Sequence, residues 1–173
     1  RDTLDMLRKQ NIDIDIDAIP LDDPEVYRMI GEGETDGVFQ MEGGGMRSFL
    51  KELRPNCFED IIAGISLFRP GPMEQIPRYI LGKDHPDRVE YAHPLLAPIL
   101  SVTYGCMVYQ EQVMQIVRDL AGYSMGRSDL VRRAMSKKKH AEMEREREIF
   151  IHGEEADGVV SVPGALRRGV DKK

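Results

Sequence analysis

A chain of 173 residues holds one domain or a domain and a half, long enough to bury roughly 70% of its extended surface. Hydrophobic residues make up 41% of it and charged residues 31%, and no uninterrupted apolar run approaches the roughly 18 residues of a membrane span. The net charge of −6 leaves only a weak general attraction to nucleic acid, so any polyanion must be held by a local patch.

In chain order, Asp22 or Asp23 is a natural N-cap before Pro24, which predicts a helix through Ile30 that stops at Gly31. Gly43-Gly-Gly45 then opens a helix over residues 46–53, closed by Pro55. Met46, Phe49, Leu50 and Leu53 repeat at i, i+3, i+4 and i+7, so this helix buries one stripe. Three glycines before a helix N-terminus are able to cradle a phosphate, but no Gly-Lys-Ser/Thr sequel follows, and nucleotide binding is not assigned to this turn. Residues 58–68 are mostly apolar and read as a buried helix. Pro70 and Pro72 force a rigid exit from it and hold Arg69 at the mouth of a stiff turn, pre-organised to bind, with a structural salt bridge as the alternative reading.

Residues 81–98 carry Gly82, Asp84, Pro86, Pro94 and Pro98 and are expected to form a surface connector. Residues 102–110 alternate toward a short strand or turn around Gly105. Over residues 111–120, Val113, Ile116, Val117 and Leu120 form one core-facing stripe, and Gly122 ends that helix. The next helix is expected to start near Ser128, because Gly126 suits its first turn poorly. Residues 140–150 read as a charged, solvated helix, and residues 159–163 as a hairpin or extended loop. The fold class is therefore mainly α: a multi-helical chain with at most a short β-hairpin.

The stretch from Arg127 to Lys139 carries six basic residues, Arg127, Arg132, Arg133, Lys137, Lys138 and Lys139, against one acid, Asp129. In a helix Leu130, Val131 and Ala134 would face inward, leaving Arg132, Arg133, Ser136 and Lys137 on the other side. Two adjacent guanidinium forks suit phosphate, since each donates paired, charge-assisted hydrogen bonds. A solvated basic face is the alternative reading. Cys57 and Cys106 lie in apolar surroundings and read as buried free thiols. His85, His93, His140 and His152 lack metal-ligand spacing, so no metal site is expected; three of them adjoin Pro or Gly, where histidines commonly terminate elements. Residues 1–10 lack the apolar stretch and cleavage site of a secretory signal, and a cytoplasmic location is expected.

The basic stretch and Leu67-Phe-Arg-Pro-Gly-Pro72, in this order, resemble the alpha subunit of bacterial DNA polymerase III, the C-family replicative polymerase. Further matching pieces are Ala18-Ile-Pro-Leu-Asp-Asp23, Gly37-Val-Phe-Gln-Met-Glu42, Cys57-Phe-Glu-Asp60, Thr103-Tyr-Gly105, Tyr109-Gln-Glu-Gln-Val-Met-Gln115, Ala121-Gly-Tyr123 and Arg132-Arg-Ala-Met135. Together they cover nearly the whole chain. Arg69-Pro-Gly-Pro72 resembles the DnaE-type branch more than the PolC-type branch.

The resemblance implies a DNA-directed DNA polymerase, a nucleotidyltransferase, of which this chain is a piece: residues 1–20 as the end of the palm and the connector into the fingers, and residues 21–173 as fingers, incomplete at the C-terminus. It implies nucleotide-binding roles for Arg132 and Arg133 on the triphosphate of an incoming dNTP, to which the stiff turn adds Arg69 as a nucleotide-binding candidate, and contacts of Lys137, Lys138 and Lys139 with template DNA or nucleotide phosphates. Primer-template DNA and dNTP are the implied partners, with the sliding clamp and other replisome subunits reached through other parts of the parent protein. The palm aspartates and the Mg2+ they hold are implied to lie outside this chain, so the chain alone is expected to be inactive. Asp13-Ile-Asp-Ile-Asp17 mimics the family's Asp-x-Asp signature, but no Pro precedes it and Ala18 stands where the motif has Phe. A surface connector is the reading adopted for it. The alternatives are a stand-alone, non-catalytic nucleic-acid-binding module and an interaction scaffold in which the lysines are incidental.

Overall fold

The structure, a computed structural model, describes residues 2–137 and 139–170. It is 62% helical with one two-stranded antiparallel sheet among the described residues, so the chain is mainly α. Two compact units divide it, Arg1–Ile65 and Ser66–Lys173.

In the first unit, α1 (Asp2–Arg8) buries none of its residues, and Arg8 pairs with Asp5 at 3.4 Å and Asp13 at 3.2 Å. Helix α2 (Pro24–Gly31) begins as its sequence dictates. Asp23 accepts from the Glu25 N–H at 2.9 Å, and Pro24 takes the first position, where a missing N–H costs nothing. Tyr27 and Ile30 are its buried side, packed toward α3 (Gly44–Leu53). All four stripe residues of α3, Met46, Phe49, Leu50 and Leu53, are buried, each contributing about 1.5–3 kcal/mol of apolar transfer as an upper figure. Arg54, in the left-handed region at φ 47°, ends the helix just before Pro55. Thr35, fully buried, donates to the Met41 carbonyl at 2.6 Å and closes the loop between α2 and α3. Helix α4 (Phe58–Leu67) follows.

In the second unit residues 85–96 lie at the surface, as a connector should, but both ends of the 81–98 stretch are helical. Leu81, Gly82 and Asp84 complete α5 (Ile76–Asp84), and after a 3-10 turn at Pro94–Leu96 comes the short α6 (Ala97–Leu100), with Ile99 and Leu100 buried. Tertiary packing overrides the Gly and Pro signals. Tyr79 of α5 is buried edge-on against Tyr104, ring centres 5.1 Å apart. A Cβ at residue 82 would lie 2.6 Å from Tyr104 Cβ, so only glycine lets α5 approach that turn.

Residues 102–110 form no strand. Gln112, on α7 (Gln110–Ala121), is buried and binds this segment as a knot instead. Its Oε1 accepts from the N–H groups of Val108 and Tyr109, both at 2.9 Å. Its Nε2 donates to the Ile99 carbonyl at 3.1 Å and to Thr103 Oγ at 2.7 Å. Gly122, at φ 78°, ends α7. Helices α8 (Met125–Ser136) and α9 (His140–His152) pack in turn on it, enclosing Val117, Ala121, Tyr123, Val131, Ile149, Val162 and Ala165. Strands β1 (Glu154–Ala156) and β2 (Val159–Val162) make the hairpin. Its turn is Asp157-Gly158, both at positive φ (51° and 75°), the backbone a two-residue hairpin turn requires. Two of the histidines at breaker residues end elements, His85 after α5 and His152 at the end of α9, whereas His93 opens one, its Nδ1 accepting from the Leu95 N–H at the start of the 3-10 turn.

Candidate functional site

Ser124 opens α8 by accepting from the Arg127 N–H at 3.2 Å. The helix therefore starts before Gly126 rather than near Ser128: a serine N-cap contributes about 1 kcal/mol, enough to offset one glycine in the first turn. The buried stripe is Ser128, Val131 and Ala134. Leu130, expected to face inward with Val131 and Ala134, is 62% exposed, because at ~100° per residue it lies well round the helix from Val131.

Arg132 and Arg133 lie on the outer side of α8, and one carboxylate holds both. Asp129 Oδ1 is 2.8 Å from Arg132 Nε and 2.7 Å from its Nη2; Oδ2 is 2.7 Å from Arg133 Nε. The spacings i, i+3 and i, i+4 put the three side chains together. Hydrogen bonding from Arg132, together with the two positive charges, holds the Asp129 carboxyl below its ordinary value and keeps it ionised. Arg132 Nη1 also donates to Gln110 Oε1 at 2.9 Å, across to the first residue of α7. The Arg132 side chain is 28% exposed and that of Arg133 62%.

The two guanidinium groups then diverge. Arg132 is steered toward α7. Arg133 lines a groove of about 440 Å³ between α8 and α9, shared with Lys137, Lys139, Arg145, Glu142 and Glu146. Among the described residues, four cations and two carboxylates line it. Lys137 is exposed at the C-cap of α8. Lys139 pairs with Glu142 at 2.6 Å. Lys138 lies outside the described residues. Arg69 is exposed on the turn after α4, its N–H donating to the Leu67 carbonyl and its carbonyl accepting from Met73 N–H. It stands outside the ion-pair cluster of Asp129.

Arg127 belongs to the basic run in sequence but serves the fold. It reaches Glu146 of α9 and Glu154 of β1, and its guanidinium lies over the Tyr123 ring at 5.5 Å. Sequence reasoning also left Asp129 and Gln110 without roles. The signal for Asp129 was present, as an acid three and four residues before two arginines; Gln110 stood in the matching run of residues 109–115, which gave it no particular role. The α9 helix is less solvated than its composition implies, since Glu146 is turned inward to Tyr123 and Arg127.

Residues 13–17 are exposed. Asp13 is engaged by Arg8, and Asp15 caps a 3-10 turn by accepting from the Asp17 N–H at 3.0 Å. These carboxylates do not converge, and among the described residues no group of three or more His, Cys, Asp or Glu side chains is placed to hold a metal ion. Cys57 is half-buried and Cys106 buried; both are free, with burial the main cause raising each thiol above its ordinary value. Among the described residues no helix is long and apolar enough to cross a membrane.

Residues 1–158 match the family described as the bacterial DNA polymerase III alpha subunit finger domain. The DNA polymerase III subunit alpha of Staphylococcus epidermidis (strain ATCC 12228 / FDA PCI 1200) is 52% identical over 155 residues, 90% of this chain and 15% of that protein. The protein of the same name from Staphylococcus aureus (strain Mu50 / ATCC 700699) is 52% identical over 147 residues, 85% of this chain and 14% of that protein. The chain thus spans about one seventh of the length of the curated relatives it matches.

Proposed function

The chain belongs to the bacterial DNA polymerase III alpha subunit finger-domain family, and on that premise we propose that it forms the cationic wall of the nucleotide site in a DNA-directed DNA polymerase. Arg132 and Arg133 act on the triphosphate of the incoming dNTP, neutralising the β- and γ-phosphates and the charge that develops on the leaving pyrophosphate as the primer 3'-hydroxyl attacks the α-phosphate. Lys137 and Lys139, with Lys138, contact phosphates of the primer-template as point charges, and Arg69 adds a further guanidinium from its stiff turn. Residues 1–20 serve as the end of the palm and the connector, and residues 21–173 as fingers. The Mg2+ ions of such a reaction are held by the parent protein outside this chain. So are the contacts to a sliding clamp and the other replisome subunits, and the whole works in the cytoplasm.

The observation that carries this reading is the arrangement at Asp129. Two consecutive arginines on the outer side of α8 are ordered by one carboxylate, which leaves the trio with a net positive charge and with N–H groups on both side chains still unspent.

The test is single-turnover incorporation of one nucleotide by the full-length polypeptide carrying this segment. Arg132→Ala or Arg133→Ala should weaken nucleotide binding and slow phosphoryl transfer, together by roughly 2–4 kcal/mol. Lys137→Ala with Lys139→Ala should instead weaken primer-template binding and flatten its salt dependence by about one unit of slope for each phosphate no longer neutralised. Wild-type kinetics in both arginine variants would remove the assignment.

A further inference from the structure

We propose that Asp129 and Gln110 are positioning residues of the nucleotide site: they hold the Arg132 and Arg133 guanidinium groups by some of their N–H groups and leave the others to a phosphate. The inference rests on the nucleotide-binding reading of the two arginines and extends it to residues that touch no substrate themselves.

A guanidinium offers five N–H donors in a rigid plane. Arg132 donates Nε to Asp129 Oδ1, with Nη2 2.7 Å from the same oxygen, and donates one N–H of Nη1 to Gln110 Oε1. One N–H on each terminal nitrogen remains for an anion. Arg133 meets Asp129 through Nε alone, at 2.7 Å, so both of its terminal nitrogens stay open. Asp129 thus holds Arg133 near its stem and, with Gln110, holds Arg132 along its guanidinium, leaving N–H groups on both side chains for a phosphate.

Charge supports the same assignment. Two guanidinium groups side by side repel each other, and each long side chain carries much rotamer freedom that must be surrendered on binding. The carboxylate between them offsets the repulsion and fixes both side chains before any ligand arrives, leaving a formal charge of +1 on the trio. Gln110 fixes the direction of Arg132 from a second helix, since it stands at the first residue of α7 while Asp129 and Arg132 stand on α8.

A carboxylate beside two arginines could act in the opposite sense, as an internal anion that a phosphate must displace. The two roles predict opposite signs, so the experiment decides between them. The full-length polypeptide carrying this segment is assayed by single-turnover incorporation on a primer-template, with titrated deoxynucleoside triphosphate. Asp129→Asn and Asp129→Ala should raise the apparent nucleotide dissociation constant about tenfold, the scale of re-ordering two long side chains, and should slow the maximal rate less than Arg132→Ala or Arg133→Ala does. Gln110→Ala should raise it about threefold, and Gln110→Glu, which keeps the acceptor, should restore it. In an Arg132→Ala/Arg133→Ala background, Asp129→Ala should add no further loss, whereas a merely structural role would add its effect there as well.

Unchanged or tighter nucleotide binding in Asp129→Asn, with Arg132→Ala still impaired, overturns this inference and leaves the nucleotide-binding reading standing. Additive loss in the arginine-less background overturns it as well. Wild-type kinetics in Arg132→Ala and Arg133→Ala overturn both. Thermal unfolding of each variant separates these outcomes from loss of fold.

Discussion

Arg127 of α8 donates through Nη2 to Oε1 of Glu146 on α9 at 3.1 Å, with side chains only 20% and 18% exposed. Arg127 Nη1 also donates to Glu154 of β1, and the Tyr123 hydroxyl donates to Glu146 Oε2 at 2.9 Å. One guanidinium thus fastens a helix, its neighbour and the hairpin. Arg127→Ala should lower the stability of this chain by about 2–4 kcal/mol, because two carboxylates lose their counter-ion. Partial exposure keeps the figure below that of a dry pair. Arg127→Lys should recover only part of it, since an ammonium lacks the fork that reaches both acids. Urea denaturation followed by circular dichroism measures both; a wild-type midpoint for Arg127→Ala would show that the joint is ornamental.

Glu154 gives this joint a pH dependence. Hydrogen bonding from Arg127, then from Ser161, lowers its carboxyl from 4.5 to about 2. A depressed folded-state value means that the contribution is fully present above pH ~4.5 and is lost as the pH falls through ~2. Stability measured by denaturant between pH 5 and 2 should decline, and the decline should be shallower in Glu154→Gln. Identical pH profiles for the two chains would count against the assignment.

Gln112 makes four hydrogen bonds from a buried amide. Gln112→Ala strands the Val108 and Tyr109 N–H groups and removes the amide donor to the Ile99 carbonyl and the Thr103 hydroxyl, at a cost of about 2–4 kcal/mol. Gln112→Glu should be tolerated no better, because an ionised carboxylate cannot donate to the Ile99 carbonyl. Thermal unfolding reads both effects. Loss confined to the segment over residues 99–109 would show in faster amide exchange there than in α9.

Primer extension by this chain alone, with saturating Mg2+, should yield no product. Asp13 is occupied by Arg8 and Asp15 by a backbone N–H, and among the described residues no group of three or more His, Cys, Asp or Glu side chains is placed to hold a metal ion. Extension that Asp13→Asn and Asp15→Asn abolish would make residues 13–17 a metal site after all.

Much of this fold was legible because its signals are local. The Asp23-Pro24 start of α2, the four-residue stripe of α3, the Gly122 stop of α7 and the Val159–Val162 half of the hairpin each depend on residues within a few positions of one another. Family membership was legible for a similar reason, through runs of adjacent residues in a fixed order. The adjacency of Arg132 and Arg133, and the acid three and four residues before them, could also be read along one helix.

Tertiary structure decided what depends on distant partners. Residues 81–84 are helical because Tyr79 and Gly82 pack against Tyr104, a contact that outweighs the breaking tendency of glycine. Gln112 turned an alternating segment into a hydrogen-bonded knot. Arg127 left the basic face because Glu146 and Glu154, remote in sequence, stand beside it, while Gln110 drew Arg132 away from the groove that Arg133 lines. Composition counts charges, but a charge is spent or free only according to which opposite charge the folded backbone brings within hydrogen-bonding reach.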